Sequence, residues 1–380
     1  MTTAQVGSRP IRVLHLRDSP WVDGPGRTIL ESGERFDAQR VDYAVAVLVK
    51  SASGDHPMVA EGRKRGMSII EIVDRGGLDL SVVARLVALV DERGIDVLHA
   101  SDLRSGIYCL LTRWRRRELL LVRTAHGWIA NSYRRRVMRQ LDKILLRNFD
   151  HVTLVSHAMR KLVPRWWLPD AHVSVIHNAL PLDSYGRGRR EHVRRLPGSS
   201  KRVVLLTVGR LSPEKGHALL LRAVASLVPE FPGLELMLAG IGGLEGKLRT
   251  LVDELGISSH VRFLGYVQDM VEIYQESDVV IQSSLTEGLP NVILEAAFLG
   301  VPIIATDVGG TREVIPDASC GRLVDPGSVG AIESALRDYL RDPARFLEMT
   351  HRARKRVLLE FSFDERVRRM TELYECVVSH

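Results

Sequence analysis

The sequence predicts an α/β fold in two domains, each a parallel sheet with helices on both faces. Apolar runs of four to six residues alternate with segments of helical periodicity, which is the pattern of strands joined by crossover helices. A length of 380 residues suits two domains. A polar, basic, glycine-bearing stretch at 184–200 is predicted to be the linker. The predicted domains are therefore 1–183 and 201–361, and a helix occupies 362–380.

Composition favours a globular protein of a reducing compartment. Apolar residues make up 45% of the chain, and no apolar run approaches the roughly 18–20 residues that a membrane helix needs. The three cysteines (109, 320 and 376) are widely spaced, which excludes a disulfide framework and a cysteine zinc site. Residues 1–10 are polar and have no signal-peptide pattern. The sequence therefore predicts a cytoplasmic location.

Seven strands are predicted in the first half. They occupy 11–16, 43–48, 67–70, 96–100, 119–124, 151–156 and 173–178. Gly24 and Gly26 lie between the first strand and a helix predicted from about Thr28, where small residues let a backbone approach a ligand closely. The spacing is not G-x-G-x-x-G, so a structural turn remains an alternative.

His126 follows the fifth strand, in Ala125-His126-Gly127. The carboxyl ends of parallel strands are where open α/β sheets bind ligands. A ligand-facing histidine and a structural histidine both remain open at this point.

A basic segment spans 113–167. Residues 113–165 hold 14 basic and 3 acidic side chains, so the basic excess is local. Within it, Val137, Leu141 and Ile144 recur at helical spacing, and Trp166-Trp167 follows. One interpretation is a solvated helix face, and the other is a surface for anionic lipid. Nucleic acid is not expected, because no recognition module is visible.

The second half repeats the alternation of strands and helices. Its strands are predicted at 203–208, 234–239, 261–264, 279–281, 301–306 and 321–325. Arg210 and Lys215 lie in the loop after the first of these strands. A guanidinium and an ammonium placed together there could hold a diphosphate.

The stretch 283–295 predicts an anion site followed by a helix. Pro290 suits the first helical position, and the amides after it have no partner inside the helix. Glu287 and Glu295 do not bind phosphate, so sugar and ribose hydroxyls are their natural partners. These residues favour a nucleotide-sugar site, and a turn with a capping acid and a surface acid is the alternative.

Four motifs in the second half resemble one family. They are Val208-Gly-Arg-Leu-Ser-Pro-Glu-Lys-Gly216, Leu264-Gly-Tyr266, Ser284-Leu-Thr-Glu-Gly-Leu-Pro-Asn-Val-Ile-Leu-Glu-Ala296 and Gly300-Val-Pro-Ile-Ile-Ala-Thr-Asp-Val-Gly-Gly-Thr-Arg-Glu-Val-Ile315. They look like the donor domain of retaining GT-B glycosyltransferases of glycosyltransferase family 4, and Glu287 with Glu295 matches that family's E-x-seven-E element. The resemblance is strong over 203–325 and looser in the first half.

The resemblance implies two facing Rossmann-like domains with a cleft between them, and a last helix that returns to the first domain. It implies that Arg210 and Lys215 neutralise the diphosphate, that Glu295 binds ribose and that Glu287 binds the sugar. The remaining expected contacts are His126 with the sugar, the glycine loop of Gly24 and Gly26 with phosphate, main chain near Val267 with the base, and the loop of Gly288, Leu289, Pro290, Asn291 and Val292 with sugar and phosphate.

The implied activity is transfer of a hexose from a UDP- or GDP-linked sugar, with retention, to a glycan, lipid-linked or small-molecule acceptor. The sequence contains no D-x-D, so we expect no metal and no cofactor. Pro25 between Gly24 and Gly26, and Ala179 in place of the family's usual glycine, depart from the pattern. A non-catalytic nucleotide-sugar-binding protein and a GT-B epimerase are the alternatives.

Overall fold

The computed structural model describes residues 9–52, 54–127, 133–180, 202–267 and 269–379, without the side chains of 133–136 and 139. Two compact units make up the chain. One is Met1–Ala179 with Phe363–His380, and the other is Leu180–Ser362. The predicted linker 184–200 lies outside the described residues.

The first unit contains a seven-stranded parallel sheet of order β3-β2-β1-β4-β5-β6-β7. Its strands are β1 (Ile11–Arg17), β2 (Val41–Val49), β3 (Ser68–Val73), β4 (Val97–Ala100), β5 (Leu120–Ala125), β6 (His151–Leu154) and β7 (Val173–Val175). Its helices are α1 (Gly24–Gly33), α2 (Pro57–Lys64), α3 (Leu80–Arg93), α4 (Leu103–Arg115), α5 (Tyr133–Leu145) and α6 (His157–Arg160). Asp79 and Asp102 cap α3 and α4 by accepting amide hydrogens of the first turn.

The last helix of the chain belongs to this first unit. Met370, Leu373, Tyr374 and Val377 of that helix (Phe363–Val378, α14 below) join a buried cluster with the apolar residues of the sheet. Arg366 on the same helix is buried and donates to the carbonyl oxygens of Ile176 and His177, at 3.2 and 2.5 Å. Apolar burial and a charge-assisted hydrogen bond together fix the helix on the sheet.

One of two stacked, buried histidines of the sheet, His99, connects this helix to the strands. The rings of His15 and His99 stack with centroids 4.1 Å apart. His99 bonds the Tyr374 hydroxyl and the Thr124 hydroxyl, both at 2.7 Å. Burial, reinforced by the charges of Arg366 and Arg123, lowers the pKa of His99 to about 3. The imidazole is therefore neutral in the folded protein at physiological pH.

The neutral state of His99 predicts a loss of stability in mild acid. The unfolded chain takes up a proton near pH 6.5, whereas the folded chain does so only near the lowered pKa. The contribution of His99 to the free energy of unfolding is therefore fully present above pH 6.5. Below that pH it falls by about 1.4 kcal/mol per pH unit. Urea unfolding at pH 7.5, 6.5 and 5.5 measures the slope. His99→Gln should give a shallower slope, and parallel slopes for the two proteins would contradict the assignment.

The second unit contains a six-stranded parallel sheet of order β10-β9-β8-β11-β12-β13. Its strands are β8 (Val203–Val208), β9 (Leu234–Ala239), β10 (Val261–Gly265), β11 (Val279–Gln282), β12 (Ile303–Thr306) and β13 (Arg322–Val324). Its helices are α7 (His217–Leu227), α8 (Glu245–Glu254), α9 (Met270–Glu276), α10 (Asn291–Leu299), α11 (Thr311–Val314), α12 (Val329–Arg341) and α13 (Pro343–Glu360), and α14 (Phe363–Val378) follows in the first unit.

The predicted α/β class with two parallel sheets is confirmed. The predicted start of α1 is wrong, because the helix begins at Gly24 and not near Thr28. Asp23 caps this helix, and Pro25 fits its first turn. Among the described residues, no helix is both long enough and apolar enough to cross a membrane.

Candidate active site

Arg210 lies in the loop that follows β8. Its side chain is exposed, and no hydrogen-bond or ion-pair partner for it occurs among the residues that the structure describes. Its carbonyl oxygen accepts from the Ser212 amide at 2.8 Å and lies 3.2 Å from Nε2 of His217. The main chain at this position is therefore held in place while the guanidinium remains available for an anion.

Lys215, in the same loop, forms an ion pair with Glu287. Its Nζ lies 2.5 Å from Oε1 of Glu287, and Ser284 Oγ donates to the same oxygen at 2.6 Å. Both charged side chains are mostly buried. The pair leaves the second carboxylate oxygen and two ammonium hydrogens to meet a ligand.

Hydrogen bonds between two loops create this pair. β8 and β11 are neighbours in the sheet, so the loops at their carboxyl ends are adjacent. The Leu285 amide donates to the Glu214 carbonyl at 2.7 Å, and Ser283 Oγ donates to the Lys215 carbonyl at 3.0 Å. The strand order therefore brings together two loops that are far apart in the sequence, and they form one charged surface.

The helix α10 begins at Asn291, shortly after Glu287 in the sequence. Pro290 is its N-cap, with ψ of 110°, so the expectation that Pro290 is the first helical residue is wrong. Pro290 provides no side chain that could cap the first amides, which belong to Asn291 and Val292. An uncapped helix N-terminus beside a glycine loop favours an anion.

The loop after β12 supports the Glu287 main chain. The Gly310 amide donates to the carbonyl of Gly288 at 2.7 Å. Gly309 has φ of +54°, and a Cβ there would lie 2.1 Å from the carbonyl oxygen of Glu287. A side chain at Gly309 would therefore displace the loop that carries the acid.

Gly309→Ala is expected to lower the free energy of unfolding by about 1–3 kcal/mol and to reduce ligand binding. The cost combines an unfavourable φ with the collision at Glu287. Gly300→Ala is the matched control, because Gly300 has φ of +70° and nothing within 4 Å of its Cβ position. Thermal unfolding compares them, and an equal effect of the two substitutions would show that the collision does not matter.

Glu295 lies inside α10 and is 7% exposed. Its Oε2 accepts a hydrogen bond from the Tyr274 hydroxyl at 2.7 Å. Tyr274 on α9 and Ser284 are site residues that the sequence analysis missed. A tyrosine 21 residues before its partner carries no motif signal, because the contact depends on how two helices pack.

Val267 is half buried and follows the end of β10. Its neighbour Tyr266 is exposed, and the carbonyl of Gly265 accepts from the Gly240 amide at 2.7 Å. This hydrogen bond joins the ends of β9 and β10. The structure therefore places Val267 at the same edge of the sheet as Arg210.

His126 belongs to the first unit and follows β5. Both ring nitrogens are buried, and the described chain provides neither with a hydrogen-bond partner. Burial, and then the charges of Arg17 and Arg366, hold the pKa of His126 well below its usual value. A neutral imidazole can donate through one nitrogen and accept through the other, which suits a hydroxyl group.

Gly24 and Gly26 also lie in the first unit, inside the first turn of α1. The Gly26 amide donates to Oδ1 of Asp23 at 2.9 Å. This helix cap engages the Gly26 amide. The sequence left open which amide of the glycine loop meets phosphate, so that contact stays a prediction. The sequence does show an aspartate before the helix, but it does not show which amide the carboxylate takes.

Comparisons with known proteins show which family the chain resembles. The family model described as glycosyltransferase family 4 matches 22–184, and that of glycosyl transferases group 1 matches 188–356. A D-inositol 3-phosphate glycosyltransferase of Corynebacterium urealyticum is 32% identical over 54% of this chain and 51% of its own. A GDP-mannose-dependent phosphatidylinositol monomannoside mannosyltransferase of Mycolicibacterium smegmatis is 29% identical over 65% of this chain and 66% of its own.

A solved structure gives the likeness of fold. Anabaena HepE in complex with UDP and glucose superposes with a TM-score of 0.82 at 18% identity, over 96% of this chain and 99% of its own. The expected GT-B fold class is thereby confirmed. The chain spans about half the length of the curated relatives it matches first. Because two family models match consecutive segments from residue 22 to residue 356, the chain belongs to glycosyltransferase family 4, the glycosyl transferases group 1.

Proposed function

We propose that the protein transfers a hexose from a UDP- or GDP-linked sugar to a hydroxylated acceptor, with retention and without a metal ion. The observation that carries the proposal is the charged surface at the ends of β8 and β11. It combines the Arg210 guanidinium, which has no partner among the described residues, with the Lys215–Glu287 pair. One relative is described as GDP-mannose-dependent, and a protein of similar fold was crystallised with UDP and glucose, which supports both nucleotides as candidates.

The chemistry requires stabilisation of charge. When the bond between sugar and diphosphate breaks, the sugar becomes oxocarbenium-like and negative charge grows on the β-phosphate. Arg210, Lys215 and the first amides of α10 are preorganised donors for that charge. The acceptor oxygen bonds to the anomeric carbon on the face that the phosphate leaves, and the departing phosphate takes the acceptor proton, so the chain need not supply a nucleophile. These two cations then do the work that a metal held by D-x-D would otherwise do.

The acceptor is proposed to bind in a cavity of the first unit. It has a volume of about 460 Å³ and opens beside the carboxyl ends of β1, β2 and β3. Asp18, Lys50 and Asp55 line it, and Arg104 pairs with Asp74 at 2.7 Å in its wall. Carboxylates and ammonium groups in one cavity match a polyhydroxylated acceptor, such as a sugar or a cyclitol.

Lys50→Ala tests the acceptor cavity. No described residue pairs with the Lys50 ammonium, so its removal should not destabilise the fold. The acceptor KM should rise about tenfold through loss of one charge-assisted hydrogen bond, with donor affinity unchanged. Initial rates at varied acceptor measure this effect. Lys64→Ala, on the exposed face of α2, is the control, and equal KM values for the two variants would contradict the assignment.

Donor screening tests the proposed function directly. Thermal shift with UDP-glucose, UDP-N-acetylglucosamine and GDP-mannose selects the donor, and mass spectrometry detects transfer to sugar and cyclitol acceptors. Transfer should persist in EDTA. NMR of the product should show that the transferred sugar keeps the anomeric configuration it had in the donor. Epimerised donor without acceptor would instead indicate an epimerase. Donor binding without turnover would indicate a non-catalytic protein.

A further inference from the structure

A surface of the first unit exposes large apolar side chains. They are Trp114 on α4, then Val137, Met138, Leu141 and Ile144 on α5, then Leu162 and Trp166 in the segment that follows α6. Trp114 is 80% exposed and Trp166 81%, while Ile144 and Leu162 are each about half exposed, at 51% and 53%. We call these seven residues the apolar surface. Large aromatic and aliphatic side chains that are exposed to solvent together indicate an interaction site.

The apolar surface is held together by specific contacts. The Trp167 indole donates to the Lys143 carbonyl at 3.2 Å, and Lys143 Nζ donates to the Leu162 carbonyl at 2.7 Å. These bonds fasten the segment of Leu162 and Trp166 to the end of α5. Arg113 lines one cavity with Trp114 and another with Trp166 and Trp167, so α4 contributes to the same side of the unit.

Exposed cations lie next to residues of the apolar surface. Arg115, Arg117 and Lys161 are exposed, and the described residues include no carboxylate paired with them. Arg147 lies over the Trp167 ring, 5.2 Å from its centroid. Other basic residues nearby are neutralised, as in the pair of Arg113 with Asp150 at 2.8 Å. A positive rim around an exposed apolar centre remains.

We propose that this surface docks on an anionic lipid bilayer. Trp114 and Trp166 would enter the headgroup boundary, with Leu141, Ile144 and Leu162 against the acyl chains. Arg115, Arg117 and Lys161 would meet anionic headgroups. A polyanion such as RNA satisfies the cations but leaves the aliphatic side chains in water, so charge and apolarity together favour lipid. The docking is independent of the donor chemistry proposed above.

Flotation of the full chain with vesicles tests the docking. Wild-type protein should float with phosphatidylcholine vesicles that contain 30% phosphatidylglycerol, and much less with pure phosphatidylcholine. Ile144→Glu should reduce the bound fraction at least tenfold, because a carboxylate cannot enter the acyl region. Arg117→Ala and Lys161→Ala should each weaken binding about fivefold, and added salt should reduce binding by the wild type.

Two matched controls separate docking from general effects. Leu80→Glu changes an apolar residue that is 67% exposed on α3, and Lys64→Ala removes an exposed cation on α2 that pairs with no described carboxylate. Both should float like the wild type. If Ile144→Glu lowers the unfolding temperature, Trp166→Ala provides the same test outside a helix. We expect this substitution to cause a smaller loss of vesicle binding. Absence of wild-type flotation, or binding of heparin and RNA but not of vesicles, would overturn the proposal.

Discussion

Arg210→Ala is expected to lower kcat by about 10²–10³-fold and to leave the unfolding temperature unchanged. The loss is that of one preorganised donor for the charge on the departing diphosphate. Stability should not change, because the guanidinium is exposed and no described side chain depends on it. Arg210→Lys should recover part of the rate, since it restores the charge but not the two-pronged geometry.

Steady-state rates with saturating donor measure this effect. Arg222→Ala is the matched control, because Arg222 is also exposed in the second unit, on α7, and has no partner among the described side chains. Its kcat should equal that of the wild type. Wild-type turnover of Arg210→Ala would remove Arg210 from the diphosphate site.

Lys215→Ala should lower kcat by a similar 10²–10³-fold and also destabilise the protein. Glu287 is mostly buried. Removal of Lys215 takes away its ion pair and leaves the carboxylate with the hydrogen bond from the Ser284 hydroxyl. We expect a loss of about 1–3 kcal/mol, between the values for exposed and fully buried pairs. At 2–4 °C per kcal/mol, the shift in unfolding temperature is readily measured.

A double-mutant cycle separates the two consequences. Glu287→Gln keeps the size of the side chain and an oxygen for Ser284, and it removes the charge. Combined with Lys215→Ala, it should restore stability but not turnover, because both ligand contacts are then absent. Lys247→Ala on α8 controls for loss of an exposed lysine in the same unit. If the double variant is no more stable than Lys215→Ala, the ion pair does not couple the two loops.

Local pattern predicted most of the fold. The apolar runs placed strands such as Val203–Val208 and Leu234–Ala239 at their observed bounds. Helices with both polar and apolar faces were harder to predict. The arginines of 113–117 indicated only a basic run, and α4 (Leu103–Arg115) was not predicted. Capping also shifted boundaries, since the Asp23 carboxylate begins α1 at Gly24. A boundary depends on single hydrogen bonds that periodicity does not reveal.

In the candidate site, too, the sequence predicted some features and not others. Arg210, Lys215, Glu287 and Glu295 could be chosen from the sequence because residue type and loop position together indicate a ligand. Their partners could not be chosen. Lys215 and Glu287 are 72 residues apart, and they meet because β8 and β11 are neighbours in the sheet. The exposure of Ile144 on α5 likewise depends on what the rest of the unit covers.

The sequence by itself determined the α/β class and the two loops whose charged residues we propose for a nucleotide sugar. Periodicity, glycine and proline positions and charge are local properties, so they can be read along the chain. Only the tertiary structure decided that Lys215 pairs with Glu287, that Tyr274 holds Glu295 and that α14 (Phe363–Val378) completes the first unit. These contacts join segments far apart in sequence, and their geometry follows from strand order and packing rather than from any local pattern.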